Sequence, residues 1–386
     1  MHQSIPKKIK LFFLTTSARM AGAEKMLFEL ASRLDRDQYE VTVCTLKTAS
    51  EGPLLDKLDA VGVKTVSLDI GSKRQWWKLF GLYGLLRREC PDILQSFLFF
   101  DNIAARVFGH LARVPVIISG QRNARHEPKV RFWLDRLTES LCHKIVSNSQ
   151  AGKDKLVDRH GVESSKVDVI YNGVEPASSR RDVRELTEIP ESSIVMGFVG
   201  TLSKQKGLHI LIPTLLKLSQ NVDLLLIGEG DERHVLEMQI DRLGLNDRVK
   251  LLGHVSSADS YIGSLDLLVL PSLREGMPNV VMEAMAQGTL CVATSVGGVP
   301  ELIEDTKTGF LAEPGSVESL SEVIDRALSL SEQERSVMLQ RASKRILEKF
   351  TFKIMLDRYQ DLYRELLSGD SPSSCDNNLC TKPQNF

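Results

Sequence analysis

A chain of 386 residues is too long for one comfortable hydrophobic core and suits two α/β domains. Its 42% apolar and 26% charged residues belong to a folded globular protein, which sets aside the disordered and fibrous classes. A formal net charge of -1 offers no overall basic face, so nucleic acid is not an expected partner.

The first apolar run, 9–14, follows lysines as the core of a signal peptide would. It is only strand length and leads into a glycine-containing loop, so it reads as the first strand. No stretch approaches the roughly 20 apolar residues that span a bilayer. The expectation is a cytoplasmic protein, neither exported nor transmembrane, able to lie peripherally on the cytoplasmic face of the membrane. Further strands are expected at 41–46, 64–68, 93–96, 116–118, 145–147 and 167–170, with helical periodicity at 24–33, 75–88, 102–111 and 129–141. Strands separated by helices of this length imply βαβ units and a largely parallel sheet covered on both faces.

The turn-forming run Tyr171-Asn-Gly-Val-Glu-Pro176, followed by charged residues to Pro190, reads as an interdomain linker. A second series then begins. Strands are expected at 195–199, 223–227, 249–251, 267–270, 290–293 and 309–311, and helices at 208–218, 233–243, 279–287 and 320–328. The fold class is therefore α/β, with two Rossmann-like doubly wound domains, residues 1–175 and 176–350, facing across a cleft. Residues 351–367 are helical, and the polar tail 368–386 lacks periodicity and reads as disordered. The six cysteines are scattered without a zinc or disulfide pattern, which implies a reducing compartment. Cys44, Cys142 and Cys291 act as small buried hydrophobes.

Chemistry concentrates where strands give way to loops. After the strand at 267–270 comes Pro271-Ser-Leu-Arg-Glu275-Gly276-Met277-Pro278-Asn279, with Glu283 one turn further on. Gly276 and Pro278 suit a tight loop and Asn279 a helix N-cap, whose free N–H groups favour anionic or hydroxyl oxygens. Glu275 on the loop and Glu283 on the helix would grip two polyhydroxylated parts of one ligand. An acidic loop beside an ordinary surface glutamate is the alternative. The loop Gly200-Thr201-Leu-Ser-Lys204-Gln-Lys206-Gly207 follows a strand in the same way, and Lys206 suits neutralising a diphosphate, though the residues alone equally allow a surface lysine. The order of glycines is not that of a Walker-A loop. Gly22-Ala23-Glu24, Gly228-Glu-Gly-Asp231 and Gly297-Gly298-Val-Pro-Glu301 also follow strands, where small residues permit close backbone approach and paired glycines free N–H groups for a phosphate. Nothing gathers His, Cys and carboxylates at metal-ligand spacing, so no metal is expected. Segment 73–88 mixes Trp76, Trp77, Phe80 and Tyr83 with lysines and arginines. It suits either an interfacial helix on an anionic membrane surface or a sheet-covering helix.

From Glu275 and Glu283, taken with Lys206-Gly207, Gly228-Glu-Gly and Gly297-Gly-Val-Pro-Glu301, the chain resembles the family 4 glycosyltransferases of GT-B fold, which carry a Glu-x7-Glu motif. The likeness covers about residues 8 to 367 and implies the remaining roles. These are retaining transfer of a hexose or N-acetylhexosamine, without metal or other cofactor, from a nucleotide diphosphate-sugar, with UDP preferred. The acceptor would be lipid-linked or a polysaccharide, as in bacterial relatives. The N-terminal domain would bind it, and helix 351–367 would return to that domain. The resemblance sets Lys206 on the donor diphosphate, Glu275 by the sugar hydroxyls, Glu283 by the ribose and the backbone of Gly276, Met277, Pro278 and Asn279 on sugar or phosphate. It sets Gly22 and Ala23 against the diphosphate from the other domain, with Gly228 in the donor site and Gly253-His254-Val255 flanking the base. In Ser119-Gly-Gln-Arg122-Asn123-Ala-Arg125-His126, Arg122 and Asn123 would face donor or acceptor, with His126 a surface residue or an acceptor contact. Thr201 stands where the family usually has arginine, which removes one bidentate phosphate grip. A nucleotide-sugar epimerase of the same fold and a non-catalytic sugar-nucleotide-binding protein are the alternative readings.

Overall fold

The computed structural model describes residues 7–47, 52–122, 129–177, 179–190 and 192–369. Its internal contacts divide the chain into two units. The described residues up to Asn148, with Gly152–Ile170 and the residues from Met355 onward, form the first; Ser149–Ala151 and Tyr171–Ile354 form the second.

The first unit holds strands β1 (Ile9–Thr15), β2 (Tyr39–Thr45), β3 (Lys64–Ser67), β4 (Ile93–Ser96), β5 (Val116–Gln121), β6 (Lys144–Ser147) and β7 (Val167–Val169). They form one sheet of order β3-β2-β1-β4-β5-β6-β7, and every pairing is parallel. Continuous apolar runs become parallel strands because helices cover both faces: Leu11, Phe12, Phe13 and Leu14 of β1 are all buried. On one face, Leu82 and Leu86 from the helix Phe80–Glu89 and Ala105 from the helix Phe99–Ala112 pack with Phe12, Leu94 and Ile117. The final helix, Phe352–Ser368, enters this unit from Met355 onward. There Tyr363 donates to Gln95 Oε1 at 2.6 Å and Tyr359 accepts from Arg122 at 3.1 Å.

Chain direction across this sheet reverses between β1 and β4, and Asp101 is buried at that point. Its carboxylate accepts from the Thr16 hydroxyl at 2.8 Å and from the backbone N–H groups of Phe97 and Leu98 at 2.8 and 2.9 Å. Burial outweighs these bonds and pushes its pKa up to about 7. A carboxyl that holds its proton more tightly folded than unfolded stabilises the fold at low pH, and this contribution is lost as pH rises through about 7. We therefore expect the melting temperature to fall more steeply between the ordinary carboxylate value of 3.8 and about 7 in the wild type than in Asp101→Asn, with no difference in slope above that. Equal slopes in a pH series of thermal melts would remove Asp101 as the cause.

The second unit repeats the plan. Strands β8 (Ile194–Val199), β9 (Val222–Ile227), β10 (Val249–Gly253), β11 (Leu267–Leu270), β12 (Leu290–Thr294) and β13 (Phe310–Ala312) form a parallel sheet of order β10-β9-β8-β11-β12-β13. Its core joins Phe198, Leu225 and Leu268 to Leu211, Met282 and Ile324 from the covering helices.

Every expected strand is present, with ends within a residue or two except at β5, which runs three residues past the expected 116–118 to Gln121. The helices differ more. Segment 75–88 is not one helix: a 3-10 stretch, Lys73–Leu79, precedes the helix Phe80–Glu89. The break falls at Gln75, whose side chain accepts from the Gly71 N–H at 2.9 Å and whose own φ/ψ are non-helical. The expected helix 208–218 stops at Thr214, because Pro213 withholds a donor in its last turn. Helices Leu54–Ala60 and Gln150–His160 were not foreseen. Asn123, His126, Cys375 and Cys380, and the tail beyond Gly369, lie outside the described residues. No helix among the described residues is long and apolar enough to cross a membrane.

Candidate functional site

In the second sheet the chain moves outward from β8 to β9 and β10, then returns to start again at β11 on the other side of β8. Strand order reverses between the neighbouring strands β8 and β11, and an open parallel sheet binds ligands beyond the carboxyl ends of its strands at such a point. The signals read from the sequence lie on the loops leaving β8 and β11 and on those that follow β9, β10 and β12.

Glycines let the loops touch backbone to backbone. Gly207 has φ +68°, and a Cβ there would lie 2.1 Å from the Pro271 carbonyl oxygen. That approach lets Leu273 N–H donate to Gln205 O, and the Gln205 side chain donate to Arg274 O, both at 2.8 Å. On the far side Gly297 has φ +52°, with space for a Cβ closed by the Glu275 carbonyl oxygen at 1.9 Å, and Gly298 N–H donates to Gly276 O at 2.7 Å. The Gly298 amide expected to face a phosphate is thus spent on the loop itself. Glu301, next along, accepts from the N–H groups of Gln150 and Ala151 at 2.7 and 2.9 Å and so caps a helix start.

At the centre Lys206 Nζ lies 2.6 Å from Glu275 Oε1, and the Ser272 hydroxyl donates to the same oxygen at 2.6 Å. Glu275 is only 8% exposed. A carboxylate this deep is kept by its ion pair and hydrogen bond together. The ammonium has three N–H donors, so contact with Glu275 leaves it able to meet phosphate oxygens as well. Ser272 and Gln205 are the residues that sequence reasoning missed. Ser272, three positions before Glu275 at a strand exit, was a readable signal; Gln205 acts through geometry alone.

Most of the other residues singled out in the second unit follow the carboxyl ends of strands of the same sheet. Thr201 is exposed immediately after β8, and Gly228 follows β9, donating its N–H to Gly253 O at 2.8 Å. His254 is exposed and Val255 half-buried just after β10. Met277 and Pro278 are buried in the loop. Asn279 is the first residue of the helix Asn279–Gln287 rather than its cap, and its side-chain oxygen accepts from Asn172 at 2.8 Å. Glu283 is half-buried one turn later. The remaining predicted residues belong to the first unit. Gly22 and Ala23 open the helix Gly22–Arg33 after β1, two residues earlier than the expected helix start. Arg122 leaves β5, bonds Tyr359 and lies 5.2 Å from the centre of the Phe97 ring. Among the described residues no three His, Cys, Asp or Glu side chains are grouped as metal ligands.

Two family models match consecutive parts of the chain. The model described as Glycosyltransferase Family 4 spans residues 20–178. The model described as Glycosyl transferases group 1 spans residues 179–345. Over 95% of its length the chain is 24% identical to the UDP-Gal:alpha-D-GlcNAc-diphosphoundecaprenol alpha-1,3-galactosyltransferase of Escherichia coli, covering 99% of that protein. It is also 24% identical to the capsular polysaccharide biosynthesis glycosyltransferase CapM of Staphylococcus aureus, over 94% of this chain and 98% of the relative. Among solved structures, Anabaena HepE in complex with UDP-glucose superposes with a TM-score of 0.81 at 23% identity, covering 92% of this chain and 100% of that one. With two such models end to end over paired parallel sheets of this order, the chain belongs to the glycosyltransferases of GT-B fold.

Proposed function

We propose that the protein transfers a hexose or N-acetylhexosamine from a UDP-sugar to a lipid-linked or polysaccharide acceptor, with retention of configuration and without a metal ion. The observation that carries this reading is the Lys206–Glu275 pair at the point where the second sheet reverses direction. A diphosphate placed there meets an ammonium already fixed by a buried carboxylate, so little reorganisation accompanies the build-up of leaving-group charge. The sugar C1–O bond to the diphosphate breaks as the acceptor hydroxyl oxygen bonds C1 on the same face. The hydroxyl proton passes to an oxygen of the leaving phosphate. Glu275 holds Lys206 and reaches the sugar hydroxyls, Glu283 the ribose, and the backbone at Gly276, Met277, Pro278 and Asn279 the sugar or phosphate. Thr201 and Gly228 border the diphosphate, and His254 and Val255 the base. Gly22, Ala23, Arg122 and Asn123 serve donor or acceptor from the first unit. The undecaprenol-linked acceptor and UDP-galactose named for the E. coli relative, and the UDP-glucose bound to HepE, support the donor and acceptor classes. An acceptor of that kind suits a cytoplasmic protein lying on the membrane through segment 73–88.

The test is incubation with a panel of UDP-, GDP- and ADP-sugars and a membrane lipid extract, with EDTA present. The expected result is release of UDP and incorporation of sugar into lipid or polysaccharide at undiminished rate. Turnover that stops with EDTA and returns with magnesium overturns metal independence. Saturable UDP-sugar binding without turnover favours the non-catalytic reading, and free-sugar interconversion without transfer favours an epimerase.

A further inference from the structure

The helix Lys129–Thr138 is amphipathic the wrong way round for a sheet-covering helix. Its apolar residues Val130, Trp133, Leu134 and Leu137 recur at helical spacing, yet all four are exposed, Trp133 at 61% and Leu137 at 72%. The opposite side turns a polar face inward. Asp135 pairs at 2.5 Å with Arg106, which is buried and also donates to Ser119 Oγ at 2.8 Å and Thr138 Oγ1 at 3.3 Å. The ion pair thus holds the helix with its apolar stripe outward.

That stripe has an apolar neighbour. Arg131 lies over the rings of Phe99 and Phe100, at 5.2 and 5.0 Å, which ties this helix to Phe99–Ala112. Phe108 of the latter meets Phe80 at 5.8 Å, and Phe80 meets Trp76 at 6.0 Å. The chain has three tryptophans, Trp76, Trp77 and Trp133, and all of them are exposed on this layer. Soluble surfaces rarely carry so many large aromatics without a partner.

Charge decides which partner fits. The segments Lys73–Leu79, Phe80–Glu89, Phe99–Ala112 and Lys129–Thr138 contain three carboxylates, Glu89, Asp101 and Asp135. Each is withdrawn from the outer surface: Asp101 is buried, Asp135 holds Arg106, and Glu89 pairs with Lys64 and Arg88. Arg74, Arg88 and Arg136 of these segments are exposed, Arg136 also pairing with Glu139, which is itself buried. Tryptophan and leucine together with arginine, with acidic groups turned away, is the composition that an anionic bilayer interface selects. We infer that the outward stripe of Lys129–Thr138, which like the Trp76–Tyr83 segment packs on the helix Phe99–Ala112, docks the protein on an anionic lipid bilayer. The inference extends the proposed membrane contact to a second helix and rests on that reading for its biological purpose, but not for its physics.

The test uses the full chain with vesicles of phosphatidylcholine alone and with phosphatidylglycerol added. Wild type is expected to sediment with the anionic vesicles, less with neutral ones, and with a blue shift of tryptophan emission. Leu134→Gln/Leu137→Gln, two changes on an exposed stripe, is expected to weaken anionic-vesicle binding by at least about tenfold with an unchanged melting temperature. Undiminished binding by the double variant, or none by wild type, overturns the inference. So does a concentration-dependent dimer in ultracentrifugation that the double variant abolishes, which would make the stripe an interface between copies. UDP-sugar turnover in detergent separates the two proposals. Turnover without vesicle binding defeats only this one, and vesicle binding without donor binding or turnover defeats only the enzymatic reading.

Discussion

Lys206→Ala is expected to lower kcat/KM for the nucleotide-sugar by about 100- to 1000-fold, the loss typical of removing one preorganised charge donor from a transition state. The effect should fall mainly on kcat, since the diphosphate gains most of its charge as the glycosidic bond breaks. A second consequence follows from what stays behind. Without the ammonium 2.6 Å away, Glu275 keeps, among the described residues, the Ser272 hydroxyl alone while remaining 8% exposed. An underpaired buried carboxylate destabilises the fold by roughly 1–3 kcal/mol, so the variant should also melt earlier. The two effects separate in a cycle with Glu275→Ala. The double variant should recover most of the lost stability, because no lone charge remains buried, but none of the lost turnover. Lys206→Arg, which keeps the charge with a different reach, should lie between. Wild-type kcat/KM in Lys206→Ala, measured by UDP release under saturating acceptor, would reduce Lys206 to a structural partner of Glu275 and withdraw the site assignment.

Strands were the most legible part of the molecule. A run such as Leu267–Leu270 is apolar throughout because both of its faces are covered, and its short length between loop residues marks it as a strand. The loop signals after β8 and β11 were legible for a related reason: glycine, proline and charge abruptly follow an apolar run. What the sequence does not carry is which atoms those loops spend on each other. Gly297 and Gly298 looked like donors for a phosphate, and instead they admit the backbone of Glu275 and Gly276. Only the distance between two strand ends, set by sheet order, decides between those uses. The helix expected at 129–141 is present as Lys129–Thr138, but its orientation was not legible, for a different reason. Helical spacing of Val130, Trp133, Leu134 and Leu137 predicts an apolar stripe but not which way it faces. The orientation is fixed by a single buried arginine on another helix, Arg106, which appears in sequence as an ordinary surface residue.

Gly228→Ala should test whether the glycines after these strands serve the scaffold or the ligand. The residue has φ +139°, and an added Cβ would lie 1.9 Å from the Gly200 carbonyl oxygen and 2.9 Å from its carbon. Both obstacles are backbone, so no side chain can rotate away. Gly200 N–H is itself tied to Ile227 O at 2.9 Å, and Gly228 N–H to Gly253 O at 2.8 Å, which leaves the crossing little freedom to shift. Backbone strain and overpacking together should destabilise the fold by roughly 2–5 kcal/mol. Gly244→Ala is the matched control: its φ of +67° is also left-handed, but nothing lies within 4 Å of the new methyl. It should lose only about 1 kcal/mol. Relief of the clash must move the loop that begins at Gly200, and Lys206 rides on that loop, so affinity for a UDP-sugar should fall in the folded fraction of Gly228→Ala and stay unchanged in Gly244→Ala. Denaturant unfolding gives the first quantity and titration calorimetry the second. Lower stability with wild-type donor affinity would mean that Gly228 serves the sheet edge alone. Wild-type stability with weakened binding would mean that the glycine is reserved for the ligand, and that the contact with Gly200 relaxes without loss.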